Sequence, residues 1–141
     1  MIELSNPYPD VSSSDSFVLH EDAPRQAEGR RYDLAERTAT FAENVVRFAR
    51  TLPEDVVTRP LISQVVRSGG SVGANYCEAD DAVSKKEFRL KIGTCRKEAK
   101  ETKYWLRVIV AAVPGAREQA RVLWQEAKEL HLIFCAILRK P

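Results

Sequence analysis

Nine cationic side chains crowd the segment from Ser84 to Arg107, and only Glu87, Glu98 and Glu101 oppose them, a net of +6. At about 100° per residue on a helical wheel, Lys85, Arg89, Arg96, Lys100, Lys103 and Arg107 fall within about 60° of one another. A rigid row of cations is what an RNA or DNA backbone requires, because each neutralised phosphate releases condensed counterions. The competing reading is a solvated face, with Glu98 and Glu101 pairing with nearby Lys or Arg. A protein partner in place of nucleic acid fits that second reading.

A second polar set precedes this one. Arg67, Ser71, Asn75 and Glu78 share one side of a helix, beside Ser68 in its apolar seam. Buried polar groups must be paired, so the set reads as a hydrogen-bonded seam at a helix or subunit contact. Catalytic chemistry has few candidates. The only histidines are His20 and His131. Di-iron bundles need Glu-x-x-His, whereas Phe17 and Lys128 stand three residues before these histidines. His131, between Leu130 and Leu132, reads as a satisfied, half-buried side chain. No GxSxG, HExxH or glycine-rich phosphate fingerprint occurs. The residues therefore predict no enzyme, no cofactor and no metal site.

Cys77, Cys95 and Cys135 are odd in number and contain no CxxC pair. They read as inert buried thiols in a reducing cytoplasm. No apolar run approaches the ~20 residues of a membrane span, and no basic leader precedes an apolar core.

Helices must position these groups. Leu34, Thr38, Phe41, Val45, Phe48 and Leu52 step by four and three, with Asp33 as N-cap and Pro53 as the stop. A second seam runs Leu61, Val65, Ser68 and Gly69, Val72, Tyr76, Ala79, with Pro60 in its first turn. The third begins at a capping box, Ser84 and Glu87, and runs Phe88, Ile92, Cys95, Ala99, Thr102, Leu106, Ile109, Val113. Pro114-Gly115 breaks it. The fourth runs Ala116, Ala120, Leu123, Ala127, Leu130, Phe134, Ile137. Short connections make neighbours antiparallel, so the predicted fold is all-α, an antiparallel up-down-up-down four-helix bundle over residues 32–141. Residues 1–31, net −3 against +5 for the remainder, read as a disordered acidic tail.

The segment RSGGSVGANYCEAD, residues 67 to 80, places three glycines inside a helix, each costing about 1 kcal/mol relative to alanine. Gly69 and Gly73 lie four apart at the edge of the seam, where small residues admit a neighbouring backbone. Gly70 points away, toward solvent or a second subunit. Trp105 also lies off the seam and reads as a subunit contact.

The runs QVVRSGGSVGANYCEAD, SKKEF and KEAKETKYWL resemble the 23S ribosomal RNA intervening-sequence proteins. The likeness covers roughly residues 33 to 140. Arg67, Ser68, Ser71, Asn75 and Glu78 follow the family pattern, and the chain departs from it at Gly69-Gly70, Cys77 and Asp80-Asp81. The resemblance implies a four-helix bundle that assembles into a homo-oligomeric ring, typically a pentamer. It also implies likeness in fold to the accessory variability protein of diversity-generating retroelements, a basic ring that binds nucleic acid and a reverse transcriptase.

Overall fold

A computed structural model describes residues 33–141; the predicted acidic tail lies outside the described residues. Helix α1 spans Leu34–Thr51, α2 Thr58–Asp80, α3 Lys85–Ala112 and α4 Arg117–Arg139. A 3-10 turn, Pro114–Ala116, joins the last two. No strand occurs among the described residues.

The helix ends follow from local chemistry. Leu52 is extended, as the residue before Pro53 must be, and α1 stops there. Asp33 holds the N-cap position without a side-chain hydrogen bond. The turn into α2 is organised instead by Asp55, whose Oδ1 accepts from the N–H groups of Val57 and Thr58 at 2.8 and 2.9 Å. Those bonds hold the Asp55 carboxyl below its ordinary range. The Thr58 hydroxyl donates to the Pro53 carbonyl at 2.6 Å. Ser84 caps α3 by accepting from the Glu87 N–H at 3.1 Å, and Glu87 accepts in return from the Val83 N–H at 3.0 Å. The return bond thus falls one residue earlier than in the usual capping box.

Cross-helix contacts fix the topology. Gly69 of α2 faces Val45 of α1, and Gly73 faces Thr38. Ser68 and Thr102 hydroxyls meet at 2.9 Å between α2 and α3, and Glu78 meets Lys91 further along. Arg89, Arg96 and Lys103 of α3 meet Leu138, His131 and Trp124 of α4 in turn. Arg37 meets Glu126 of α4, while Thr51 meets Gln119. In each pair, numbers rising along one helix meet numbers falling along its neighbour. The bundle is therefore antiparallel around its whole circuit.

The ten residues that anchor the four seams, Leu34, Phe41, Val45, Val65, Val72, Ile92, Leu106, Leu123, Leu130 and Phe134, are all buried. Trp124, Val110 and Ile133 join them. The polar exceptions are satisfied: Thr38 donates to the Leu34 carbonyl at 2.7 Å, and Thr102 to the Glu98 carbonyl at 2.7 Å. Among the described residues, no helix is long and apolar enough to cross a membrane.

Candidate nucleic-acid interface

The third helix is wedged between α2 and α4, and this divides its charges. On the α2 side, Arg67 reaches Glu98 at 3.1 Å and also pairs with Glu101. Glu78 pairs with Lys91 at 2.6 Å, which raises the lysine above its ordinary range. Glu87 is engaged at the helix start. All three glutamates of α3 therefore lie away from α4. Of the polar residues on α2, Arg67, Ser68 and Glu78 meet α3. Asn75 instead turns back to the Ser71 carbonyl at 2.8 Å, within its own helix.

The α4 side carries the predicted cation row, but its members differ in what they are free to do. Lys85, Lys100 and Arg107 are exposed, and Arg96 is half-buried. Arg89 is committed: its guanidinium donates to the carbonyls of Leu138 and Lys140 at 2.8 and 2.9 Å, satisfying the C-terminal turn of α4. Lys103 is half-buried with Nζ 4.8 Å from the centre of the Trp124 ring. Burial lowers its pKa, and Lys128 and Lys100 lower it further.

Helix α4 contributes to the same furrow. Lys128 Nζ lies 5.9 Å from the centre of the Trp124 ring, and burial lowers its pKa. The Nδ1 atom of His131 lies 3.1 Å from the Arg96 carbonyl, as expected for a satisfied histidine. Its pKa is lowered, first by burial and then by Lys103, Lys100 and Arg96. The part of the Lys103 and His131 shifts that comes from neighbouring cations, second to burial, reflects the positive charge gathered here. Lys128 and His131 joined the furrow only once the register of α4 was known. Their helical phase, facing Lys103 and Arg96 across an antiparallel contact, was the signal available in the sequence.

Other predicted features are distributed differently. Gly70 is exposed, and a Cβ there would meet nothing within 4 Å. Trp105 is half-buried against the core, donates Nε1–H to Glu101 at 3.0 Å and carries Tyr104 on its edge. The cysteine expectation is corrected at two positions. Cys95 is buried, and burial pushes its thiol up to about 12, but Cys77 is exposed and Cys135 half-buried. Cys77 sits on the side of α2 away from the seam, which no neighbour covers in the bundle. No group of three His, Cys, Asp or Glu side chains suited to a metal occurs among the described residues.

A family model described as 23S rRNA-intervening sequence protein matches residues 30–135. A crystal structure of a protein of unknown function from the S23 ribosomal protein family of Bacteroides thetaiotaomicron VPI-5482 is similar, with a TM-score of 0.68 and 30% sequence identity. That similarity covers 76% of this chain and 99% of that one. No curated protein matches the chain.

Proposed function

The chain belongs to the 23S rRNA-intervening sequence protein family, and on that footing we propose that it is a non-enzymatic, cytoplasmic, homo-oligomeric module that binds RNA or DNA phosphates along the α3–α4 furrow. The observation that carries this reading is the sorting of charge on α3. Its glutamates are drawn toward α2 or the helix start, while Arg96, Lys100, Lys103, Lys128 and His131 crowd one furrow, where burial first and neighbouring cations second lower the proton affinity of Lys103 and His131. A phosphate entering that furrow relieves repulsion already present. A ring, with a pentamer as the form suggested by the family, would repeat the furrow around an axis and raise the local potential.

Phosphate contacts carry little base information, so binding should be sequence-tolerant and should weaken steeply with salt. Arg96, Lys100 and Arg107 are the residues to change together to Gln. Lys103 is left intact because it packs on Trp124. Affinity for single-stranded RNA should fall more than tenfold, and the slope of log K against log salt should flatten by about 2, near 0.7 per lost contact. Unchanged affinity, or no wild-type binding at about 50 mM salt, refutes the reading. Light scattering on the same samples reports the oligomer, and a monomeric mass refutes the ring. The second reading is a structural or protein-interaction bundle without nucleic acid, its cations solvated.

A further inference from the structure

At the opposite edge of the cation row from the core, the first turns of α3 and the end of α4 enclose a shallow cleft. Leu90, 68% exposed, and Leu138 form its apolar part, Gly93 leaves its floor open, and Lys86 and Lys97 stand on its rim. Leu90 does not belong to the intramolecular core, and nothing in the bundle covers it. An apolar slot between lysines suits a short segment with a few apolar side chains flanked by carboxylates.

The chain contains one such segment. From Asp15 to Asp22 the sequence reads Asp-Ser-Phe-Val-Leu-His-Glu-Asp: three carboxylates, no Lys or Arg, and Phe17-Val18-Leu19 at its centre. We propose that this segment docks in the cleft of its own chain, with Phe17 and Leu19 against Leu90 and Leu138 and with Asp15, Glu21 and Asp22 toward Lys86 and Lys97. Topology supplies an independent reason. Because the bundle alternates direction, the start of α1, the start of α3 and the end of α4 all lie at one end. The segment therefore joins the bundle at the end where the cleft opens.

Reach is sufficient. Leu19 stands 14 residues before Asp33, which is about 46 Å if fully extended and about 20 Å as a random coil. Diagonal helices of a bundle are only about 13 Å apart, given 8–10 Å between neighbours. The docking does not depend on nucleic-acid binding and stands or falls separately.

The test is zero-length carbodiimide crosslinking of the full chain, read by mass spectrometry. Asp15, Glu21 or Asp22 should be joined to Lys86 or Lys97. Mixing isotopically labelled and unlabelled protein should show the link to be within one chain. Two variants leave every charge in place: Phe17→Ser with Leu19→Ser, and Leu90→Ser at an already exposed position. Each should cut the yield at least fivefold while the helical circular dichroism stays unchanged. Links spread evenly over Lys91 and Lys128, links only between copies, or full yield in both variants would overturn the proposal. The last of these would reveal charge attraction without a docked segment.

Discussion

Replacing the glycines of α2 one at a time by alanine separates two effects that ordinarily act together. Each replacement removes the conformational freedom of glycine from the unfolded chain and adds a favourable helical side chain, a gain of up to about 1 kcal/mol. None of the described glycines has a positive φ, so no backbone strain intervenes. At Gly70 the new Cβ meets nothing within 4 Å, so the whole gain should appear, about 0.5–1 kcal/mol or roughly 2–6 °C in Tm. Gly93 of α3 is a second open position and serves as a control. At Gly69 the Cβ would lie 3.0, 3.1 and 3.2 Å from three atoms of Val45. Val45 is fully buried and β-branched, so its rotamer in a helix is nearly fixed and it cannot swing aside. Overpacking of this kind costs about 1–3 kcal/mol. Gly69→Ala should therefore be destabilised by up to about 2 kcal/mol net of the propensity gain. At Gly73 the obstacles are Thr38 Oγ1 at 3.1 Å and the Thr38 backbone carbon at 3.4 Å. Moving Thr38 would also disturb its 2.7 Å bond to Leu34, so Gly73→Ala should be destabilised as well.

Urea denaturation of the four variants at one protein concentration, with mass measured in parallel, is the assay. A cycle with Val45→Ala sharpens it. That change removes both Val45 Cγ atoms, leaving only its Cβ at 3.2 Å from the new methyl, so Gly69→Ala should become about 1 kcal/mol less costly. If Gly69→Ala and Gly73→Ala gain as much as Gly70→Ala, close approach of α1 does not explain these glycines. If Gly70→Ala instead loses stability and mass together, Gly70 lies in a subunit contact.

Arg37→Met should cost about 2 kcal/mol, less than for a fully buried pair because Glu126 is partly wetted, and Glu126→Gln with Glu129→Gln should restore much of the loss. The motive is that burial opposes the Arg37 charge while the two glutamates outweigh it, so both carboxylates would lose the guanidinium they share. His131 has a lowered folded pKa, so its contribution to stability is complete above the unfolded value near 6.5 and is lost as pH falls toward the folded value. Urea midpoints from pH 7 to 5.5 should therefore fall less in His131→Asn than in the parent, and parallel curves refute the linkage. Iodoacetamide at pH 8 should label Cys77 readily and leave Cys95 untouched until the chain unfolds, because Cys95 is buried and its thiol stays protonated to about pH 12. Labelling of Cys95 at the Cys77 rate in the folded protein refutes that burial.

The bundle was legible in the sequence because its signals are local. Steps of three and four place Phe41, Val45 and Val72 inside without knowledge of any partner, and Ser84 with Glu87 announces a helix start within four residues. The start of α2 was less legible, because the side chain that organises it, Asp55, lies outside the helix it caps, whereas Asp33, at the N-cap of α1, makes no side-chain cap bond. The candidate site was legible only as far as one helical wheel reaches. A wheel puts Arg89 and Lys103 in the same row as Lys100 and Arg107. It does not show that Arg89 is spent on the carbonyls of Leu138 and Lys140, or that Lys103 is laid across Trp124. Both facts depend on the register of α4 against α3, which is set by Ile92, Leu106, Leu130 and Phe134 in the core they share. The same register brings Lys128 and His131 to the row. Charges at the edge of a helix contact are thus sorted by the packing beside them. Those that find a partner on α4, Arg89 and Lys103, become part of the bundle, while Lys85, Lys100 and Arg107 are exposed. A row read from sequence should therefore be expected to lose its contact-side members to structure and to gain partners from the opposing helix.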